Sequence, residues 1–383
     1  MPSLDQYASA KLSELDAGHL RRTLAETARE DGVWVTRGKR RLLSFSCNDY
    51  LNLTHHPAVK KAAIAAIEQH GAGAGASRLV TGNHPLYAEL ETRLARLKGT
   101  EAACVFGSGY LANAGIIPVI VGEGDVLLVD ALSHSCLWAG AQLSRATLLK
   151  FNHNDVRHVA ELLASHRGAH GRALIVTDGV FSMDGDLAPL DDLSALARKH
   201  DAWLMSDDAH GLGAIADGRG SAFASGKKTA IDLQMGTLSK ALGSYGGYLC
   251  ASKPVINLIK TRARTLVYST GLPPASVAAA IASLDVIADD PALVARPLEK
   301  ARQFTCAVNL PLAQSPIVPI VLGDALAALD ASQVLEREGF LVTAIRPPTV
   351  PAGTARLRLA FTAGHPGDEI ARLARIVRER ILR

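Results

Sequence analysis

The chain has 383 residues, 48% of them hydrophobic, and its 41 Lys and Arg residues against 37 Asp and Glu residues give a formal net charge of +4. This length allows two or three structural units with a buried core. The small charge excess, with no clustered basic run beyond Lys39–Arg41, argues against a nucleic-acid-binding protein, which usually carries a basic stripe.

The five cysteines also narrow the class of protein. They are scattered, odd in number and never arranged as C-x-x-C, which favours reduced thiols over a disulfide framework or a zinc site. The first residues carry no apolar signal-peptide core, and no apolar stretch reaches the length of a membrane span. We therefore expect a soluble, cytoplasmic protein with no membrane or nucleic-acid partner.

The first hundred residues contain three predicted helices. Residues 1–30 are predicted to form an amphipathic helix, because leucines from Leu4 to Leu24 recur near the helical period. A second helix is predicted over Pro57–His70 and a third over Pro85–Lys98. A glycine-rich loop separates them, and Gly99 ends the third helix.

From residue 102 onward, short apolar runs alternate with helical stretches. Continuous apolar strands between helices predict a mostly parallel sheet covered on both faces. The last pair of strands has no long helix between them, so we predict that this pair is antiparallel. The predicted strands are Ala102–Phe106, Asp125–Val129, Ala173–Thr177, Ala202–Ser206, Leu233–Met235 and Gly247–Ala251. The predicted helices between them include Ser133–Leu143, Val156–Ala164 and Leu190–Lys199.

The remainder of the chain predicts a smaller α+β unit. A long Ala/Val-rich helix over Pro273–Asp290 precedes it. We predict a large domain over residues 51–285, a small C-terminal domain over residues 286–383, and an N-terminal segment of residues 1–50 that packs on the small domain. The predicted elements of the small domain are the strands Ile317–Leu322, Leu341–Ile345 and Ala355–Phe361 and the helix Gly367–Leu382.

Three glycine-rich segments are candidates for nucleotide binding. Gly71–Ala76 matches a dinucleotide motif but follows a helix instead of a strand, and Gly220–Thr229 has one residue too many for a P-loop. Gly107–Ala112 follows a predicted strand, opens a predicted helix and precedes Asp130 at the end of the next strand. On this segment alone, a nicotinamide-dependent dehydrogenase is a possible interpretation. Any phosphate-bearing cofactor bound at this segment would place its phosphate at the positive end of the helix.

Polar residues after two later strands favour a different cofactor. Asp207, Asp208 and His210 directly follow a buried strand, and Lys240 follows another. Ligands of open α/β sheets bind at such carboxyl ends. Pyridoxal 5'-phosphate needs a lysine amine, an acid beside the pyridine nitrogen, a phosphate cradle and a ring stacked on its face, for which His134 is a candidate. No second histidine or cysteine at ligand spacing supports a metal site instead.

At these positions the chain resembles the α-oxoamine synthases, a family of fold-type I pyridoxal-phosphate enzymes, and the likeness covers nearly the whole chain. The run Ala344–Leu359 and the pair Leu20-Arg21 most resemble the biotin-pathway member of that family. The motifs that carry the family resemblance are Ser46–Leu51, Gly75–Leu79, Gly107–Tyr110, Thr177–Gly185, Asp207–Gly211, Gly236–Lys240 and Tyr268–Thr270.

The resemblance implies a large domain with a mostly parallel seven-stranded sheet and a role for individual residues. Lys240 would form the covalent imine with pyridoxal 5'-phosphate, and Asp207 would face the pyridine nitrogen. His210 would bond the phenolic oxygen of the cofactor, and His134 would stack on its ring. The residues that would surround the phosphate and ring edge are Gly109, Tyr110, Ser182 and Thr237, with Ser269 and Thr270 reaching the phosphate of the partner subunit.

The substrate side is also implied by the resemblance. Arg358 would hold the carboxylate of the amino acid, and Asn48 and Asp178 would line the site. Arg21 would contact the distal carboxylate of the acyl substrate, and Thr349 would contact substrate. The implied substrates are L-alanine and a pimeloyl thioester, carried on coenzyme A or on acyl carrier protein, and the implied assembly is a homodimer with shared active sites.

Alternative functions remain open, and two residues depart from the family motifs. A relative that uses glycine or serine with another acyl-CoA would carry most of the same motifs, and a cofactor-binding regulatory relative would be catalytically silent. Asn52 stands where family members usually carry glycine, but asparagine tolerates a left-handed turn. Asp178 stands where many members carry glutamate, which shortens a side chain in the site.

Overall fold

The computed structural model of the protein describes residues 3–30 and 32–382. The predicted helix over residues 1–30 is wrong in length: the helix ends at Ala17, and residues 1 and 2 lie outside the described part. It ends there because Gly18 closes the last turn and His19 takes a left-handed φ of 54°. The elements of this segment are α1 (Leu4–Ala17), β1 (Ala28–Arg29), β2 (Trp34–Arg37) and β3 (Arg40–Ser44).

Helix α1 begins with a capping box and stands apart from the core. The Ser3 hydroxyl accepts from the Gln6 backbone N–H at 3.2 Å, and the Gln6 side chain accepts from the Ser3 backbone N–H at 2.9 Å. None of its residues is buried, and Leu4 is 79% exposed. Local capping therefore defines this helix more than packing does.

Nine helices surround the large domain along the described chain. The predicted helix Pro57–His70 is confirmed with both its ends, and the helix predicted from Pro85 begins one residue later. The helices are α2 (Pro57–His70), α3 (Leu86–Lys98), α4 (Gly109–Ile120), α5 (Ser135–Ser144), α6 (Val156–His166), α7 (Leu190–Lys199), α8 (Lys253–Arg262), α9 (Arg264–Val267) and α10 (Pro274–Asp289).

A seven-stranded sheet forms the centre of the large domain, in the order β4-β10-β9-β8-β7-β5-β6. Strand β10 is antiparallel to both neighbours and the other pairs are parallel, which confirms the predicted sheet. The strands are β4 (Ala102–Phe106), β5 (Val126–Asp130), β6 (Thr147–Phe151), β7 (Ala173–Asp178), β8 (Trp203–Asp207), β9 (Leu233–Thr237) and β10 (Gly247–Ala251).

Both faces of this sheet are covered. In β10, Tyr248 and Cys250 belong to one hydrophobic cluster, whereas Leu249 and Ala251 belong to another on the opposite face. This alternation is what a strand buried on both sides requires. Strand β6 was not predicted, because it lies at the sheet edge and most of its side chains are exposed, so it lacks a continuous apolar run.

The topology excludes a dinucleotide-binding unit at Gly107–Ala112. The preceding strand β4 lies at the sheet edge and pairs with antiparallel β10, whereas a dinucleotide fold places this strand inside a parallel sheet. Asp130 is fully buried, and its oxygens accept from the backbone N–H groups of Leu132 at 2.8 Å and Asn154 at 2.9 Å. It is not available to a ribose.

The C-terminal part forms a three-stranded antiparallel sheet, β11-β14-β13. The single strand predicted over Leu341–Ile345 is instead two short strands that serve different sheets, because one of them pairs in parallel with β3. The elements are α11 (Pro291–Ala307), β11 (Ile317–Gly323), α12 (Ala325–Arg337), β12 (Phe340–Leu341), β13 (Thr343–Ile345), β14 (Ala355–Ala360) and α13 (Gly367–Arg380).

The N-terminal and C-terminal parts of the chain share a core. Val33 and Phe45 lie in the same hydrophobic cluster as Phe361. Asn52 takes the expected left-handed conformation, with φ 56°, and its side-chain oxygen accepts from the Gly364 N–H at 2.6 Å. The proposed boundary at residue 285 stays a prediction, since α10 runs through it. Among residues 3–30 and 32–382, no helix is long and apolar enough to cross a membrane.

Candidate active site

The candidate site lies at the carboxyl ends of three neighbouring parallel strands. Strand β7 ends at Asp178, β8 at Asp207 and β9 at Thr237. Asp178 and Asp207 are direct register partners. Because parallel strands present their carboxyl ends at one edge of a sheet, the turn after β9 brings Lys240 to the same edge as both acids.

Lys240 and His210 are joined by a short polar contact. The Lys240 Nζ lies 2.9 Å from His210 Nε2, and His210 Nδ1 lies 2.6 Å from the Tyr50 hydroxyl. Burial lowers the pKa of His210 well below its ordinary value and raises the pKa of Tyr50 to about 12. His210 is therefore a neutral imidazole placed between the protonated Tyr50 phenol and the Lys240 amine.

Burial also changes the lysine itself. It lowers the pKa of Lys240 to about 8, although the carboxylate of Asp207 acts in the opposite direction. An amine is a nucleophile and a base only when it is uncharged. About a tenth of Lys240 is therefore in its reactive form at pH 7, and about half at pH 8.

The carboxylate of Asp207 is held by two N–H donors. Asn113 Nδ2 donates to its Oδ2 at 2.7 Å, and the backbone N–H of Ala209 donates to its Oδ1 at 2.9 Å. Asn113 Nδ2 also donates to Cys136 Sγ at 3.1 Å. Hydrogen bonds to an ionised carboxylate are stronger than those between neutral groups. Asp207 is thus fixed in position by a donor to each of its carboxylate oxygens.

Cys136 extends this chain of contacts to His134. The two side chains meet at 2.8 Å between Sγ and Nδ1. Burial raises the pKa of Cys136 to about 12 and lowers the pKa of His134, so a protonated thiol donates to a neutral ring. The His134 backbone N–H donates to Asp178 Oδ2 at 3.0 Å. Burial first, and then the nearby charge of Asp207, raise the pKa of Asp178 well above its ordinary value.

Arg358, a buried arginine of the small domain, also lies at the candidate site. Arg358 donates from NH1 to Asn48 Oδ1 at 3.1 Å and from Nε to the Ser182 carbonyl oxygen. A guanidinium has five N–H donors in a planar fork. These two bonds orient the side chain and leave donors for the carboxylate of a ligand.

The start of helix α4 lies close to Thr237. Ser108 caps the helix by accepting from the Leu111 N–H at 3.1 Å. A Cβ placed on Gly109 would lie 3.5 Å from Thr237 Cβ and 3.3 Å from Met235 Cε. A side chain at Gly109 would therefore crowd these neighbours at the helix N-terminus, where backbone N–H groups and the helix dipole favour a phosphate.

Comparison with known proteins identifies the family. The family described as aminotransferase class I and II matches residues 40–377. An 8-amino-7-oxononanoate synthase of Beijerinckia indica is 63% identical over 377 residues, 98% of each chain, and one of Methylocella silvestris is 67% identical over 90% of this chain and 98% of its own. The chain belongs to the α-oxoamine synthase family.

The fold of this α-oxoamine synthase agrees with that assignment. A solved serine palmitoyltransferase of S. paucimobilis, with a bound PLP-myriocin aldimine, superposes with a TM-score of 0.92 at 28% identity. The superposition covers 99% of this chain and 98% of that one. The protein is therefore a fold-type I enzyme that depends on pyridoxal phosphate.

The side chains present fit that cofactor. Lys240 offers an amine of lowered pKa, Asp207 offers a carboxylate held by two donors, and the N-terminus of α4 at Gly109 favours a phosphate. Asp208 does not take part: it forms a fully buried ion pair with Lys98 at 2.6 Å. Within the described ranges, no group of three His, Cys, Asp or Glu side chains is arranged to hold a metal ion.

The predicted site residues fall into two sets. One set meets at the sheet edge, and its individual roles remain predictions; it comprises Lys240, His210, Asp207, His134, Asp178, Asn48, Ser182, Arg358, Gly109 and Thr237. The other set makes no hydrogen bond or ion pair with the first in the described parts of the chain. It comprises Tyr110, Ser269, Thr270, Arg21 and Thr349.

The residues of the second set have contacts of their own. Tyr110 is 53% exposed at the start of α4, and Thr270 forms an isolated antiparallel bridge with Ser77. Arg21 pairs with Asp16 at 2.7 Å. Thr349 accepts a hydrogen bond from Arg22 at 2.6 Å.

Three residues that contact this site have no role predicted from the sequence. Tyr50 lies within a quoted motif, and Cys136 lies two residues after His134. Asn113 is fully buried in the apolar helix α4, where a polar side chain must find a partner. That unusual position was the available signal for Asn113.

Proposed function

We propose that this protein condenses L-alanine with a pimeloyl thioester to give 8-amino-7-oxononanoate, as in biotin biosynthesis. The observation that carries the proposal is the Lys240 amine, with its lowered pKa, beside Asp207 and opposite Arg358. The choice of substrates rests on the 63% and 67% identical relatives that bear this enzyme's name.

Lys240, Asp207 and the space beside Gly109 and Thr237 would hold the cofactor. When bound, pyridoxal phosphate supplies an electron sink for the charge left on the α-carbon of the amino acid. Asp207, held in place by Asn113 and Ala209, would stabilise a positive charge on the ring nitrogen. His210 would direct its Nε2 proton to an oxygen atom beside Lys240.

Proton transfer would be the task of Lys240. Its uncharged amine accepts the α-proton of alanine and returns a proton to the same carbon at the end of the reaction. A positioned base of this kind typically contributes ~10²–10⁴-fold to the rate. Arg358 would bind the alanine carboxylate through the donors that Asn48 and Ser182 leave free.

The overall reaction is balanced without an oxidant or reductant. A bond forms between the α-carbon of alanine and the acyl carbonyl carbon, and the carbon–sulfur bond of the thioester breaks, with release of the thiol. The carboxylate of alanine leaves as carbon dioxide, and a proton takes its place. The amine nitrogen stays in the product.

The acyl end of the site would involve two exposed residues, Arg21 and Thr349. We place Arg21 at the distal carboxylate of the pimeloyl chain and Thr349 beside it.

We also propose a homodimer in which Ser269 and Thr270 reach the cofactor phosphate bound by the partner subunit. Gel filtration with light scattering tests the dimer, and a monomer that retains full activity would contradict it.

A substrate panel tests the function. The holoenzyme is given pimeloyl-, acetyl-, succinyl- and palmitoyl-CoA and pimeloyl-acyl carrier protein, each with alanine, glycine or serine, while released thiol and product mass are measured. We expect a pimeloyl donor with alanine to be fastest by at least about tenfold, the effect of ~1.4 kcal/mol. Faster turnover of serine with palmitoyl-CoA, or of glycine with a short donor, would identify another family activity.

A lysine control keeps this experiment specific. The Lys240→Ala variant should release no thiol above background. Lys228 lies at the opposite edge of the sheet, where it donates to the Gly99 carbonyl. The Lys228→Ala variant should retain the activity of the natural protein.

A further inference from the structure

The loop of residues 179–187 connects the large domain with the arginines of the small domain. The Ser182 carbonyl accepts from Arg358 Nε, and the Met183 carbonyl accepts from Arg356 NH1 at 3.2 Å. Arg356 also forms an ion pair with Asp184. Both arginines are buried on β14, where they alternate with core residues. The orientation of Arg358 therefore depends on where this loop holds its carbonyl groups.

The loop is a compact turn pressed against the small domain. The Gly185 N–H donates to the Phe181 carbonyl at 2.8 Å, and the Phe181 N–H donates to the Asp186 carbonyl at 3.0 Å. Gly185 has φ +75°, and a Cβ added there would lie 2.2 Å from the Ile317 carbonyl oxygen. At Gly185 the turn therefore packs directly against the Ile317 backbone.

A histidine from another strand end anchors the turn on the large domain. His153 follows β6 and contacts two carboxylates: Nδ1 lies 3.0 Å from Asp130 Oδ1, and Nε2 lies 2.8 Å from Asp186 Oδ2. Burial alone would lower the pKa of His153, but the bonds to both carboxylates outweigh it and raise the pKa to about 10. The Phe181 ring packs edge-on against the imidazole at 4.3 Å.

Asn154 adds a second anchor beside the histidine. Its Nδ2 donates to Asp186 Oδ2 at 2.9 Å and to the Leu187 carbonyl at 3.3 Å. Its backbone N–H donates to Asp130 Oδ2 at 2.9 Å. Two consecutive residues thus tie the end of β5 to the turn, and neither has a role in the chemistry proposed above.

We propose that His153 is a positioning residue, which holds Asp186 and, through the 179–187 turn, fixes the Arg358 guanidinium for the carboxylate of the amino acid substrate. This inference rests on the proposed role of Arg358. Its consequence is specific, because a misdirected guanidinium weakens amino acid binding more than it affects proton transfer at Lys240. Misplacement of a positioning group by about 1 Å can cost ~10²-fold.

The Asp186→Asn variant tests the inference, because this side chain is 30% exposed and its replacement keeps the shape. We expect the Kd for L-alanine, measured from the absorbance change of the holoenzyme, to rise about tenfold, while kcat at saturating alanine falls less than about threefold. Hydrogen exchange at the Phe181 and Gly185 amides should become faster. The His153→Gln variant should give the same pattern.

Asp125→Asn is the matched control. Asp125 precedes β5, at the strand end opposite Asp130; its side chain is buried like that of Asp130 and is paired with Arg172 at 3.1 Å. This variant should leave the alanine Kd and both amide exchange rates unchanged. An alanine Kd within twofold of the natural value in both Asp186→Asn and His153→Gln overturns the inference, as does an equal change in the KM of the acyl donor.

An Arg358 variant separates this inference from the function on which it rests. If Arg358→Gln does not change the alanine Kd, the proposed role of Arg358 is wrong, and the inference is wrong with it. If Arg358→Gln raises the Kd and Asp186→Asn does not, only the inference fails. When both raise it, the double variant should bind alanine no more weakly than Arg358→Gln alone, because the two act through one contact.

Discussion

The sheet edge around Lys240 and the exposed region around Arg21 differ in how they hold their side chains. At the sheet edge, Asp207 and His210 are buried, and each makes at least two polar contacts of 2.9 Å or less. In the exposed region, the Arg21 side chain is 44% exposed and pairs with Asp16, which is 52% exposed. Exposed ion pairs of this kind contribute about 0–1 kcal/mol.

This difference separates the chemistry from the recognition of the acyl chain. The proposed chemical groups are fixed by backbone pairing and by bonds shielded from water, so the loss of one group should have a large effect. The proposed acyl contacts come from long side chains in water, so the loss of one should have a small effect. Four predictions test this ranking.

The largest effect is expected at Lys240. The Lys240→Ala variant should lose ~10²–10⁴-fold in kcat or more, because it removes both the base and the point of cofactor attachment. The measurement is product formation, together with borohydride trapping and mass spectrometry of the modified peptide. Near-natural turnover in this variant would overturn the proposed mechanism.

The second effect concerns the support of Asp207. Replacement of Asn113 by Leu removes a donor from a buried carboxylate, at a cost of about 1.5–3 kcal/mol, or roughly 10–100-fold in rate. We expect kcat to fall by that factor and the cofactor to bind more weakly, as measured by fluorescence titration of the apoprotein. The Asn257→Ala variant, on the exposed face of α8, serves as the control and should be unaffected. An unchanged Asn113→Leu variant would show that the Asn113–Asp207 bond is dispensable.

The third prediction is a pH dependence. Because the pKa of Lys240 is lowered to about 8, the uncharged fraction of its amine rises about tenfold per pH unit below 8 and levels off above it. The rate of covalent cofactor attachment to the apoprotein should follow this curve in stopped-flow absorbance between pH 6 and 10. A plateau only above pH 10 would mean that the lysine keeps the pKa of an exposed amine.

The smallest effect is expected at Arg21. The Arg21→Ala variant should raise the KM for a pimeloyl donor about two- to fivefold, with less effect at high salt, and leave the KM for alanine unchanged. The monomethyl ester of the same donor lacks the distal charge and serves as the control. Its KM should not respond to the substitution, and a response as large as that of the free acid would remove Arg21 from the carboxylate site.

Much of the large domain could be predicted from the sequence because its signals are local. The helices Pro57–His70 and Leu190–Lys199 and the strands Ala102–Phe106 and Gly247–Ala251 have the predicted bounds. Fully buried strands are continuous apolar runs, and their ends are marked by polar or glycine residues. Strand β3 begins with two exposed arginines and was not recognised, because it lacks a continuous apolar run; it pairs with β2 and with β12, nearly 300 residues later in the chain.

Residue types and spacing determined the cofactor class and the residues that gather at the sheet edge. A parallel sheet brings its strand ends together regardless of the conformation of the loops, so the sequence alone could place Asp207 and Lys240 in one site. Only the tertiary structure decided how these groups are supported. The Asn113–Cys136 link to His134 and the His153 anchor of the Arg358 loop join distant parts of the chain through side-chain contacts. Such contacts depend on how packed elements meet, which no local pattern encodes.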